Sequence, residues 1–600
     1  MDKTSSAGVA VNGTNGGEVA PKGLARREVL KVLGAFGVGS AVFGRAVVAL
    51  AQDQPRITTE TIQQAEWISG LKFTDKQREM MARGVNRTLA QYDSLRKIKL
   101  DNGVVPAGIF NPLPCAAPVP TMPREPVGLI ESSAAKRPTS EEVLAFAPVS
   151  ELAPLIRTRQ LSSVELTRLY LKRLGEFDAT LHCVITLTEK LALDQAAKAD
   201  REIAAGRYRG PLHGIPWGAK DLLAYPGYPT TWGAKPYAQQ VRKEKATVAA
   251  RLDAAGAVLV AKLSVGALAM GDVWFGETCR NPWKPSEGSS GSSAGPASAT
   301  VAGLIGFAIG TETLGSIVSP CRRCGATGLR PTFGRVSRFG CMALSWSMDK
   351  IGPIARSVED CALVFHAIHG ADGLDPSAVE RPFHWPPRKD VRALRVGYVK
   401  DLFEAPEPST QSNDDGDRRK LQEEQRALDH ATLATLRQLG IELVPIELPK
   451  TYPLEALLNI LDAEAATAFD DLTRSGRDAS LVRQGPDAWP NIFRQGQLIP
   501  AVEYLRASRV RTLVMREMAQ MMSQVDVYVA PTYGGGNLLL TNLTGHPAVV
   551  LPNGFRSEDG TPTSITFTGS LFGESDLLAV AHAYQSATDF HLKRPSVENA

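Results

Sequence analysis

The sequence predicts an α/β fold in which a sheet is layered against helices, and two observations point to it. Short apolar runs recur between stretches whose apolar residues fall at helical spacing, the alternation expected when buried strands are covered by helices. The chain is also large and ordinary in make-up: 600 residues, 43% hydrophobic and 22% charged, enough for two or three structural units.

Taken in order, residues 58–102 are helical in pattern and rich in charge, and residues 103–138 are rich in proline and read as extended or looping. Residues 52–140 are therefore expected to form an N-terminal extension, ahead of a large core domain at 141–600. In the core, Ser162 and Glu165 have the spacing of a capping box, where each side chain satisfies a backbone donor of the other. Val164, Leu166, Leu169, Tyr170 and Leu174 then give one apolar helix face. Residues 188–205 read as a second helix, and 257–261 and 394–399 as buried strands. A helix at 427–439 followed by a strand at 441–448 repeats the unit, and 526–531 reads as a late core strand. Residues 400–520 are less patterned and are expected to cover the substrate side, with 409–417 a polar surface loop.

The N-terminus reads as an address. Arg26 and Arg27 stand before Val29, Leu30 and Lys31, an apolar stretch free of charge follows to Gly44, and Ala49-Leu50-Ala51 supplies a small-x-small cleavage pattern. The pair of arginines resembles a twin-arginine signal. Residues 1–51 are thus expected to be a signal peptide, with the mature chain beginning at Gln52 and residing in the periplasm or outside the cell. The apolar stretch is shorter than the roughly 20 residues a membrane span needs, so no stable insertion is expected after cleavage. An uncleaved anchor stays open.

The net charge of +4 is carried mostly by that segment, which holds six Lys/Arg and three Asp/Glu, leaving about +1 on the remainder. That balance offers no general case for nucleic-acid binding. Seven cysteines are scattered along the chain, and only Cys321 and Cys324 are close. With no second Cys/His pair to complete a metal set, they read as idle thiols, and no metal or cofactor is expected.

The densest signal lies at 288–334. Gly288-Ser289-Ser290-Gly291-Ser292-Ser293-Ala294-Gly295 is a small-residue loop, and Gly310-Thr311-Glu312-Thr313-Leu314-Gly315-Ser316 is another. Small residues let backbone amides approach a ligand and surround a serine with donors. Upstream, Gly214-Ile215-Pro216-Trp217-Gly218-Ala219-Lys220-Asp221 places a lysine after a strand-like approach.

These motifs resemble the amidase signature family. Ser292 lies 24 residues before Ser316 and 72 after Lys220, the family's spacing. Asn281-Pro282-Trp283, the segments around Arg330 and Asp349, and Asn542-Leu543-Thr544-Gly545-His546-Pro547-Ala548 also look like the family, so that the resemblance spans roughly 143–593. It implies the amidase signature fold, a mixed central β-sheet layered between α-helices, and an amidohydrolase acting on a small or medium carboxamide. It implies Ser316 as nucleophile and Ser292, on a cis peptide, as proton carrier, with Lys220 as the base. The backbone N–H groups of Thr313, Leu314, Gly315 and Ser316 would form the oxyanion hole. A lysine near its free pKa of about 10.4 is protonated at neutral pH, so burial must lower that of Lys220. His546 is expected to be structural, since the relay needs no imidazole.

The chain departs from the family pattern at Ser290, Ala294, Glu312, Leu314 and Val318, and at Leu263, Ser264 and Ala267. These changes bear on substrate preference more than on catalysis. Three other readings stand beside this one. Gly291-Ser292-Ser293-Ala294-Gly295 fits a nucleophile elbow with Ser293 as the reactive serine, but the preceding residues carry two prolines and no apolar strand. The chain could be the glutamine-amide-hydrolysing subunit of a tRNA amidotransferase, which would work with partner subunits. It could also be a non-catalytic binding protein on the same scaffold. The partner expected is a small-molecule amide, and a homodimer is compatible with the sequence.

Overall fold

Runs of β-branched and small residues form thirteen strands in the computed structural model, which describes residues 57–101, 103–108, 126–130, 136–404 and 416–597. In chain order these are β1 (Val184–Leu187), β2 (Pro216–Lys220), β3 (Val258–Leu263), β4 (Arg280–Asn281), β5 (Lys284–Gly288), β6 (Phe307–Glu312) and β7 (Thr327–Arg330). There follow β8 (Lys350–Ala355), β9 (Val396–Val399), β10 (Leu443–Ile446), β11 (Val527–Pro531), β12 (Ala548–Phe555) and β13 (Pro562–Gly569). Eleven of them make one mixed sheet in the order β1-β3-β2-β6-β8-β7-β12-β13-β11-β9-β10. β2, β3 and β6 run parallel, as do β9, β10 and β11, while the strands between pair antiparallel.

Every residue of β2, β3, β6, β7, β8 and β13 is buried, which requires cover on both faces of the sheet. The side chains alternate accordingly. Leu259, Phe307 and Ile309 join one core with Phe365 of the helix Val358–Ile368 and Leu577 of the helix Glu574–Ser586. Val258, Val260 and Ala308 point into another, shared with Leu174 of the helix Ser163–Leu181 and Ala297 of the helix Ala294–Val301. The architecture is the α/β one the sequence predicts, a mixed sheet between helices.

The helix Ser163–Leu181 begins as its cap predicts, with Ser162 Oγ accepting from Glu165 N at 3.0 Å. Only half of the capping box forms, because the Glu165 carboxylate is drawn to Arg137 instead. The helix Glu189–Ala204 and the strands β3, β9, β10 and β11 fall where apolar patterning placed elements. Residues ahead of the serine loop differ from expectation: β4 and β5 form a small hairpin outside the central sheet, so a strand does precede the loop. It was invisible because its residues, Lys284 to Gly288, are half-exposed and polar and carry no apolar run.

The chain divides into two compact units, at Arg78/Glu79. In the first, Glu66 of the helix Thr59–Ser69 pairs with Arg78 at 2.6 Å. In the second, which runs from Glu79 onward, Arg96 reaches Glu503 at 2.7 Å. Cys321 and Cys324 are buried and unpaired on the helix Val318–Cys324. Among the described residues no helix is long and apolar enough to cross a membrane, and no cluster of His, Cys, Asp or Glu could hold a metal. The expected signal segment 1–51, Cys115 and most of the loop 409–417 lie outside the described residues.

Candidate active site

β2 and β6 lie side by side and parallel, with Trp217, Gly218 and Ala219 opposite Phe307, Ala308 and Ile309. Their C-terminal ends, Lys220 and Thr311-Glu312, therefore emerge at one edge of the sheet, the place where open α/β sheets bind ligands. The serine loop arrives there from β5 and turns into the helix Ala294–Val301, all of whose residues are buried. That helix can lie so deep because it is made of small side chains. At Gly295 a Cβ would stand 2.4 Å from the Cys183 carbonyl oxygen and 2.5 Å from Ser264 N.

Lys220 is fully buried, and its Nζ lies 2.8 Å from Ser292 Oγ, 3.0 Å from Ser293 Oγ and 2.8 Å from Thr311 Oγ1. Burial pulls the ammonium from 10.5 down to about 7, and the nearby Cys341, Asp349 and Glu312 offset this only in part. Ser292 is fully buried and follows a cis peptide bond from Gly291. Ser316, 7% exposed, sits on the adjoining loop, and its carbonyl accepts from Ser293 N at 3.0 Å, tying the two serine loops together. The structure thus brings Lys220, Ser292 and the Ser316 loop into one buried cluster. The N–H groups of Thr313, Leu314, Gly315 and Ser316 are not taken by any protein acceptor among the described residues.

Ser293 is placed differently. Its Oγ bonds both the N–H of Thr311 at 3.2 Å and the carbonyl of Thr311 at 3.1 Å, besides Lys220. A hydroxyl so engaged, on a residue with no exposed surface, fixes β6 against the serine loop. His546 is likewise built into the scaffold, with Nδ1 2.8 Å from Thr544 Oγ1 and its carbonyl accepting from Arg330. Burial lowers its imidazole to about 4.

The support beneath the Ser316 loop was not legible as such in the sequence. One oxygen of the buried Glu312 carboxylate accepts from Ile317 N and Val318 N at 2.9 Å each, capping the helix that follows Ser316. The other takes Arg330 Nη1 at 2.8 Å and Asn542 Nδ2 at 2.9 Å. Asp349, half-buried, accepts from Thr313 Oγ1 at 2.6 Å and from Leu344 N at 2.8 Å. The only signals were Glu312 as a departure from the family pattern and the family-like context of the other three. Lys262 and Asp221 form a further buried pair at 2.5 Å just behind Lys220.

A cavity of about 910 Å³ opens beside this cluster. Thr311 and Thr313 belong to its wall, whereas Ser292 and Ser316 do not. Phe333, Phe339, Leu344 and Trp346 give it an apolar side, and Ile460, Tyr504 and Met515 come from helices at 458–522. Part of the poorly patterned stretch 400–520 therefore lines this cavity.

Known proteins resemble this chain in sequence and in fold. The amidase family profile matches residues 165–537. The A subunit of glutamyl-tRNA(Gln) amidotransferase from Roseiflexus castenholzii is 34% identical over 498 residues, covering 75% of this chain and 97% of that protein. The same-named protein of Methylococcus capsulatus is 33% identical, over 75% of this chain and 98% of its own. Among solved structures, native peptide amidase from Stenotrophomonas maltophilia superposes with a TM-score of 0.63 at 29% identity, covering 75% of this chain and 98% of that one. Motif spacing, fold and these similarities together show that the chain belongs to the amidase (amidase signature) family and is a C–N amide hydrolase.

Proposed function

We propose that Ser316 Oγ attacks the substrate's amide carbonyl and becomes acylated, with Ser292 and Lys220 as its proton relay. Ser292 accepts the Ser316 proton and passes one to the leaving nitrogen, so the C–N bond breaks as the Ser316 ester forms. Water then enters by the reverse relay and releases the acid. The observation that carries this is the buried Lys220 amine 2.8 Å from Ser292 Oγ. The lowered basicity of that amine supports it, because only the neutral form can accept a proton. The open N–H groups of residues 313–316 support an oxyanion hole, in which each donor contributes roughly 3–4 kcal/mol where tested in other enzymes.

For the substrate we propose an organic carboxamide acted on by this chain alone. The large and partly aromatic cavity supports it, being roomier than the side chain of free glutamine requires. A second reading is favoured by the sequence relatives, whose names are those of tRNA-dependent amidotransferase subunits. On that reading the amide cut is glutamine's, and partner subunits and tRNA complete the enzyme. Ammonia release by the purified chain from a panel of carboxamides and from glutamine, with Ser316→Ala as control, separates the two. Turnover of carboxamides without partners is expected. Turnover of glutamine alone, stimulated by tRNA and added subunits, would establish the second reading.

A further inference from the structure

One wall of the cavity comes from outside the family's own segment. Residues 103–108 precede both the profile match at 165–537 and the region of motif resemblance, yet Ala107 and Gly108 line the cavity. This stretch has no regular structure of its own, and its backbone is held by one helix, Ala501–Met522. Arg509 Nε donates to the Val104 carbonyl at 2.7 Å, and Arg509 Nη2 to that of Asp101 at 2.6 Å. Thr512 Oγ1 donates to the Val105 carbonyl at 2.8 Å. Ala107 N donates to Ser508, to its carbonyl at 3.2 Å and its hydroxyl at 3.1 Å. Residues 508, 509 and 512 share one side of the helix, so these hydrogen bonds converge on a single short strip.

The neighbouring side of the same helix, Tyr504, Ser508, Arg511 and Met515, faces the cavity. Its polar groups are occupied: Tyr504 donates to Glu464 at 2.9 Å, and Arg511 to Ser347 and to the Leu543 carbonyl. The helix is therefore a fixed frame, and the strip it clamps is fixed with it. The wall that strip presents consists of a methyl group and a glycine. A Cβ built at Gly108 meets no atom of the described residues within 4 Å, so among them the strip leaves room beside it.

We propose that residues 103–108 are a specificity-determining wall, which admits amides with a large apolar end by presenting only Ala107 and Gly108 to that end. The proposal rests on reading the cavity as the substrate site. It goes beyond that reading in assigning substrate size to an N-terminal strip and its clamp, Arg509 and Thr512. A small amide need not reach this wall, whereas a long one is buried against it.

The test uses binding, so that it does not depend on Ser316 chemistry. Full-length Ser316→Ala protein is titrated with dansylglycinamide and with the dansylamide of 10-aminodecanamide, read by fluorescence anisotropy. Gly108→Trp, at a position where a Cβ meets no neighbour among the described residues, is expected to weaken the long probe at least tenfold and to leave the short one within twofold. Arg509→Ala with Thr512→Val, which unclamps the strip, is expected to weaken the long probe several-fold. Arg509→Lys alone should restore part of that loss. Equal effects on both probes, no effect on either, or failure of the long probe to bind would each overturn the proposal. If the parent protein hydrolyses no amide while the probes still discriminate, the catalytic reading falls and the wall stands.

Discussion

At the scale of single residues, the proposed relay is a problem of keeping one amine neutral. Lys220 has no exposed surface, and burial brings it to about 7. Below that pH the cation dominates and cannot accept a proton; above it the neutral base does. Activity (kcat/KM) on an amide is therefore expected to rise through about pH 7, and a profile measured from pH 5 to 9 checks it. A limb nearer the free-lysine value of about 10.4 would remove Lys220 from the relay. In Lys220→Ala, amides should suffer more than esters sharing one acyl group, because an amine leaves less readily without a proton. The two adjacent serines should also separate. Ser316→Ala is expected to abolish labelling by a fluorophosphonate. Ser293→Ala should leave Ser316 labelled at a reduced rate, since it only loosens the grip on Thr311 and Lys220. Peptide mapping of the label decides, and a modification found on Ser293 would revive the elbow reading. The residue scale also explains which departures from the family pattern are tolerated. Gly315 has φ of 84°, which only glycine adopts freely, while Leu314 is not among the left-handed residues and needs no glycine.

At the scale of elements, the Ser316 loop is held by a carboxylate. Glu312 ends β6, caps the helix Val318–Cys324 and pairs with the buried Arg330. Burial alone would raise its pKa, but the Arg330 guanidinium and the capping amides hold it at about 2, against an ordinary 4.5. A carboxylate with a depressed folded-state pKa contributes stability that is present above about pH 4.5 and is lost as pH falls toward 2. By that difference the contribution is about 3 kcal/mol. Glu312→Gln leaves Arg330 uncompensated and should cost roughly 3–5 kcal/mol, the scale for breaking a buried ion pair. It should also flatten the acid limb of the stability profile. Urea midpoints from pH 3 to 7 test both, and an unchanged midpoint at pH 7 would show that the pair does not hold the loop.

At the scale of the whole molecule, relatives account for three quarters of the chain, and the remainder decides matters they cannot. Export is one. The twin-arginine pattern of Arg26 and Arg27 leads us to propose that the protein is translocated and begins at Gln52. Changing both to Lys is then expected to trap precursor inside the cell, read by N-terminal sequencing and fractionation. Unchanged export would exclude twin-arginine routing.

The sequence by itself determined the fold class, and it singled out the three side chains proposed here as the reactive ones. Strand runs alternate with amphipathic helices over long stretches, and Lys220, Ser292 and Ser316 stand at a spacing that carries meaning without coordinates. Each is a local or one-dimensional signal. Tertiary structure alone decided what surrounds them. The polar hairpin of β4 and β5 has no apolar run to betray it, because neither strand joins the buried sheet. The partners of Glu312 come from Arg330 and Asn542, 18 and 230 residues along the chain, and those of residues 103–108 from a helix about 400 residues away. Such partnerships are set by which strands pair and which helices cover them, and a polar residue in sequence does not announce whether it will meet water or a buried charge. The basicity of Lys220 belongs to the same class, since burial that lowers it is a property of the packed sheet rather than of lysine.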